Sequence, residues 1–284
     1  MSLSSQPLFL FGAGYSGQHL ARIWQGPVYA SYRSPSSRAE IEQLGLIPVD
    51  AQSPEAIAAI IDDAHILVSP PPDAHGCPAL RALHPVIAQA ASVTYLSTTG
   101  VYGDRAGGWV FETTPPRPGQ TRSQRRLAAE QDWIAARPDI CIARLPGIYG
   151  PGRSAFDRLA QGTARRIIKP QQVFSRIHVE DLATALLALI GQGANGIFHI
   201  CDDVAAPPQD VIAFAATCQG SYAGPEISIL DPSLSDMTRS FYAECKRVSN
   251  AKIKAVTGWV PRYPSYREGL KAISAGVIAS AVER

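Results

Sequence analysis

Residues 7–17 read Pro7-Leu8-Phe9-Leu10-Phe11-Gly12-Ala13-Gly14-Tyr15-Ser16-Gly17. The apolar run Leu8 to Phe11 reads as a buried strand. It enters glycines at 12, 14 and 17, and Gln18 to Trp24 then carries apolar residues at helical spacing. In such a strand–turn–helix the first glycine lets the chain reverse. The second lets the backbone approach a pyrophosphate, and the third lets the helix pack on the strand. The helix start offers unpaired N–H groups and a positive dipole end to phosphates. Gly12, Gly14, Tyr15, Ser16 and Gly17 therefore form a candidate dinucleotide cradle, against the alternative of a plain tight turn. The setting between strand and helix gives the match its weight.

Working outward, Pro27 to Arg33 reads as a second strand. A site for NAD wants an acidic residue about twenty positions past the glycines, on the ribose 2′-hydroxyl. No Asp or Glu occurs between Gln18 and Ala39; Arg33, Ser34, Ser36, Ser37 and Arg38 stand there instead. A guanidinium with hydroxyls suits a 2′-phosphate. The expected cofactor is therefore NADP, with NAD possible, and a solvated basic loop is the alternative. Glu40 to Gly45 reads as a short helix, and Leu46 to Asp50 as a third strand whose Asp50 could meet the adenine edge. Ser53-Pro54 opens a helix to Asp63 with Ser at the N-cap and Pro at the first position.

His65 to Ser69 reads as a fourth strand ending at Pro70-Pro71-Pro72. These prolines cannot extend a strand, so they shape a loop at the carboxyl end of the sheet, where ligands bind in this architecture. A helix is expected over 78–91, strands over 93–97 and 140–145, and a basic helix over 156–168. Strand–helix alternation predicts an α/β, doubly wound parallel sheet of Rossmann type. Ser97, Thr98 and Thr99 end a strand where a hydroxyl could meet a substrate oxygen, or simply cap a turn.

The bulk properties set bounds. With 284 residues, 46% hydrophobic and 18% charged, the chain is globular rather than disordered. A net charge of +2 makes no case for nucleic acid. Five scattered cysteines without Cys-x-x-Cys argue against zinc and disulfides and fit a cytoplasmic location. No signal peptide and no membrane-spanning run is read. No metal site is expected.

GAGYSG (12–17), STTGVYGD (97–104), ARLPGIYGPGR (143–153), RIHVEDLATALLALI (176–190) and KRVSNAKIKAVTGWVPRYPSYREGL (246–270) together resemble the extended short-chain dehydrogenases/reductases, the NAD(P)-dependent epimerase/dehydratase group. The resemblance covers nearly the whole chain. It implies a nucleotide-binding unit over 1–150 plus 176–205, a smaller C-terminal substrate lobe over 151–175 plus 206–265, and a closing helix over 266–284. It implies that Pro146 begins the loop beside the nicotinamide, with Pro70 and Ser97 near the cofactor, and that the substrate is a small molecule, anionic or a sugar nucleotide. A homodimer is the family's habit.

One departure matters. Family members use a Tyr-x-x-x-Lys pair with an upstream Ser or Thr. Thr98 matches the Ser/Thr position, but the tyrosine and lysine positions fall on Arg122 and Arg126, and no tyrosine occurs between Val110 and Trp133. Arginine cannot shuttle a proton, although it can hold charge. Thr98, Arg122 and Arg126 are thus the candidate catalytic residues, with the arginines as an anion clamp on one helical face or as a solvated basic face. Arg117 and Arg153 extend the basic character. Tyr102, Tyr149 and water remain as proton donors. His178 reads as structural, and Asp181 as a helix-start residue. The expectation is an NAD(P)-dependent oxidoreductase of atypical type. The alternative is a non-catalytic NAD(P)-binding redox sensor.

Overall fold

The computed structural model describes residues 6–282, with side-chain surroundings through residue 276. The outermost bounds of the expected units, 1–5 and 283–284, lie outside the described residues. Seven strands form one parallel sheet: β1 (Leu8–Phe11), β2 (Val28–Tyr32), β3 (Ile47–Asp50), β4 (His65–Val68), β5 (Ser92–Thr98), β6 (Cys141–Leu145) and β7 (Gly196–His199). Their spatial order is β7-β6-β5-β4-β1-β2-β3, with every neighbouring pair parallel. The order reverses between β1 and β4, and the crevice outside the carboxyl ends of these two strands is where such sheets bind ligands.

β1 shows why the sheet is buried on both sides. Successive side chains alternate faces. Leu8 and Leu10 join Leu20, Leu182, Leu186 and Leu189 beneath helices Tyr15–Ile23 and Val179–Gly191. Phe9 and Phe11 join Ile57, Ile61, Leu83 and Trp133 beneath helices Pro54–Ile61, Pro78–Leu83 and Thr121–Ala136. A separate cluster of Tyr149, Phe156, Ile212, Tyr266 and Leu270 holds the C-terminal lobe together. Among the described residues no helix is long and apolar enough to cross a membrane.

Three boundaries differ from the sequence reading. The helix expected over 156–168 ends at Ala160; Gly162 takes φ +65°, and Arg166–Ile168 is a strand pairing with Glu226–Ser228. The β-branched pair Ile167-Ile168 suits that strand. The helix expected over 78–91 stops at Leu83 and resumes only as a 3₁₀ turn, Ile87–Gln89, because Pro85 cannot supply the next N–H. The helix expected over 40–45 starts at Pro35, after a capping box between Ser34 and Ser37.

Candidate functional site

The glycine turn shows the geometry its spacing implies. Gly12 has φ +90°, and a Cβ there would lie 2.8 Å from Ser69 Oγ and 3.1 Å from Pro70 Cδ. Only glycine fits that conformation and that gap. The turn is pinned by the Gly12 N–H donating to Ser31 Oγ (2.9 Å) and by Ser69 Oγ donating to the Gly12 carbonyl (2.8 Å). Pro70 belongs to this wall. Gly14 is the N-cap of helix Tyr15–Ile23, with no side-chain cap and no acid in the first turn. A Cβ on Gly14 would meet nothing within 4 Å. Open space thus sits above uncapped helix amides, the arrangement a diphosphate requires.

Gly17 is less constrained than the motif implies, since a Cβ there would make ordinary contacts at 3.5 Å. Tyr15 turns its hydroxyl away to donate to the Pro151 carbonyl (3.0 Å), and burial pushes its pKa up to about 12. Ser16 is buried. From these two residues the cradle receives backbone amides rather than side-chain groups.

At the adenosine end, Arg33 is exposed just beyond β2, and no partner for its side chain occurs among the described residues. The serines beside it are engaged. Ser34 Oγ accepts from the Ser37 N–H (3.2 Å), and Ser37 Oγ donates to the Ser34 carbonyl (2.9 Å). Arg38 pairs with Glu42 at 3.0 Å. Asp50 accepts from the Gln52 N–H (2.8 Å) and so shapes the turn after β3. Of the polar groups in this loop, Arg33 is the one left for a ligand.

Next to the crevice, between the sheet's carboxyl ends and the lobe, lies an open cleft of about 1220 Å³. Among the described residues, seven arginines and one lysine line it, against the two carboxylates Asp157 and Glu244. Both carboxylates are engaged, although Glu244 Oε1 has no partner among the described residues. Asp157 accepts from the Ser154 N–H and hydroxyl (2.6 Å each), and Glu244 pairs with Lys246 (2.7 Å). The cleft is therefore strongly electropositive. Pro71, Pro72 and Pro146 form apolar wall.

Thr98, Arg122 and Arg126 all line this cleft. Thr98 Oγ1 accepts from the Gly100 N–H (3.1 Å), capping a 3₁₀ turn and leaving its own O–H to donate. Arg126 Nη1 donates to Tyr95 Oη (3.0 Å) and to the Leu96 carbonyl (2.9 Å). Arg122 lies with its guanidinium carbon 4.5 Å from the centre of the Phe241 ring. Ser97, expected beside the cofactor, is instead buried, with its hydroxyl bonded to Glu130. The alternation of β5 turns Ser97 into the core where Thr98 faces out.

Of the expected proton donors, Tyr102 does not line the cleft, and Tyr149 lines it with its hydroxyl packed into the lobe. Tyr102 is fully buried; its hydroxyl lies 2.6 Å from His199 Nε2 and 3.1 Å from the Phe111 carbonyl, and accepts from Arg144 Nη1 at 2.7 Å. Tyr149 Oη lies 3.4 Å from the Ser265 carbonyl and is packed so that a Cβ at Gly269 would overlap it. Burial raises both phenols. His178 caps helix Val179–Gly191 by accepting from the Glu180 N–H (3.3 Å), and burial lowers its pKa to about 4. Asp181 does more than sit at a helix start: it accepts from the N–H groups of Arg262 (2.8 Å) and Tyr263 (2.9 Å), tying the C-terminal segment down.

Two features escaped the sequence reading. Glu130 and Arg144, both 2% exposed at the side chain, pair at 2.6 Å beneath the cleft. Asp202 is buried, with no hydrogen-bond partner for either carboxylate oxygen among the described residues. Burial raises its pKa to about 8, against the opposing pull of Arg176. Neither feature has a local signature.

No family model matches the chain. A functionally unknown conserved protein from Silicibacter pomeroyi DSS is 42% identical, over 96% of this chain and 99% of that one, with a TM-score of 0.89. The chain belongs to that protein's family, on the extended short-chain dehydrogenase/reductase fold. A dTDP-glucose 4,6-dehydratase from Bacillus anthracis, in complex with NAD, shares this fold at 15% identity and a TM-score of 0.76, over 97% of each chain. A 3-diazoavenalumate denitrifying reductase from Streptomyces sp is 27% identical over 170 residues, 55% of this chain and 54% of the reductase. The chain thus spans about half the length of that curated relative.

Proposed function

We propose that this short-chain dehydrogenase/reductase is an NADP-preferring oxidoreductase for a small anionic substrate, working without the Tyr-x-x-x-Lys pair. The observation that carries the reading is the adjacency of an uncapped glycine cradle and a cleft whose arginines lack carboxylate partners. The names of two relatives, a dehydratase holding NAD and a reductase, support the cofactor class and the reaction class. When bound, the nicotinamide nucleotide supplies or accepts a hydride.

The chain's own residues do the rest. Amides at the start of helix Tyr15–Ile23 hold the diphosphate, and Arg33 holds the 2′-phosphate. Arg122 and Arg126 hold and orient the substrate's anionic group, and the Thr98 hydroxyl donates to a substrate oxygen. Residues 1–150 with 176–205 carry the nucleotide, and residues 151–175 with 206–265 carry the substrate. The hydroxyls of Tyr102 and Tyr149 are held in packed surroundings, so the proton comes from water entering the open mouth.

Calorimetry with NADPH and NADH on Arg33→Ala tests the cofactor preference. A lost charge-assisted hydrogen bond costs about 1.5–3 kcal/mol, so NADPH affinity should fall roughly ten- to a hundredfold with NADH unchanged. Equal weakening of both would remove Arg33 from the 2′-phosphate. Tight NADPH binding without oxidation by any anionic carbonyl compound would favour the sensor reading.

A further inference from the structure

We propose that the cleft takes its anionic ligand with one fixed and one movable guanidinium, Arg126 and Arg122, and that Phe241 competes with the ligand for the movable one. This rests on the anionic-substrate reading and adds a specificity residue to it from the far side of the cleft.

The two arginines stand four apart on helix Thr121–Ala136, so they share a face. Their surroundings differ. Arg126 is half-buried and held by two hydrogen bonds from Nη1 to β5, while Nε and Nη2 have no partner among the described residues. It cannot travel without breaking both bonds. Arg122 is exposed, with neither a hydrogen bond nor a carboxylate among the described residues. Its one specific contact is the Phe241 ring, at 4.5 Å.

Phe241 comes from the lobe, on helix Asp236–Tyr242. That helix is anchored on its own side. Tyr242 is buried, its carbonyl bonded by Lys169, and Arg239 bonds the Ile229 and Asp231 carbonyls. Gln120 reaches across to the Ser240 carbonyl (2.9 Å). Phe241 itself is 53% exposed and lines the cleft. The backbone that carries the ring is therefore held, while the arginine side chain has no such anchor. An exposed cation–π contact is weak beside a charge-assisted, bidentate hydrogen bond, so an anion bridging to Arg126 wins Arg122 from the ring. The ring's hold is a toll on every anion that binds, and only ligands reaching both guanidiniums overcome it.

The test is a double-mutant cycle read by calorimetry, with oxalate as a planar dianionic probe. Phe241→Leu keeps an apolar side chain but removes the ring. It should raise oxalate affinity about two- to fivefold, the size of an exposed cation–π contact. On an Arg122→Ala background the same change should do nothing. Arg126→Ala should lower oxalate affinity tenfold or more. A Phe241→Leu effect that is absent, reversed or retained without Arg122 would overturn the competition while leaving the anion site standing. Saturable NADPH heat with no oxalate heat at tens of millimolar would sink the anionic-substrate reading, and the proposal with it.

Discussion

Helix Thr121–Ala136 carries charge on two faces, and the two have opposite fates. Toward the core, Glu130 meets Arg144 through bonds of 2.6 to 3.2 Å, and Ser97 and Tyr102 occupy further sites on the pair. Toward the cleft, Arg126 keeps unused donors and Arg122 has only an aromatic ring. The same functional group is structure in one place and left without an acid in the other. What separates them is a carboxylate. A guanidinium with its acid beside it is satisfied and fixed; one without keeps donors that no described residue takes.

The largest expected effect breaks the inner face. Glu130→Ala leaves Arg144 buried and unpaired, which costs about 3–5 kcal/mol. Urea unfolding should show that loss, and one below about 1 kcal/mol would mean that the pair is not holding the helix to β6. An intermediate effect comes from Asp202. Its folded pKa lies near 8, above the ordinary carboxylate value, because of burial. The folded state therefore binds more protons than the unfolded state between about pH 4 and pH 8. Stability falls across that window by at most about 1.4 kcal/mol per pH unit, and the fall ends above pH 8. Asp202→Asn should flatten this slope, gaining stability at pH 8 and little at pH 4. A parallel pH profile in the variant would remove Asp202 as its source. The smallest effect belongs to the outer face: Arg122→Ala should leave unfolding stability within about 0.5 kcal/mol, in contrast to Glu130→Ala. A large loss would mean that Arg122 is structural and that the two faces are not different in kind.

The nucleotide end was legible because its signal is local. Three glycines within six residues, a four-residue apolar strand before them and helical spacing after them all fall in one stretch. The position of Arg33, just past the second strand, was legible for the same reason. The Ser34 and Ser97 hydroxyls misled because a hydroxyl that caps or pairs looks identical in sequence to one that binds a ligand. Yet Ser34-Pro35 with Ser37 at the third helical position was already a helix start, and Pro85 already forbade a helix through residue 91. The Glu130–Arg144 pair was not legible, since its partners lie on different elements and meet only once β5 and β6 are adjacent. Phe241 was hidden for the same reason, in a lobe whose packing no periodicity announces.

The proposed nucleotide site depends most directly on the space above Gly14. Calorimetric titration of NADPH into the parent and into Gly14→Val tests it, because a valine there meets no protein atom at its Cβ and should fold normally. Saturable heat in the parent, lost in the variant with its melting temperature unchanged, is the result expected. A parent that gives no heat with NADPH at millimolar concentration, or a Gly14→Val variant that binds as the parent does, would contradict it.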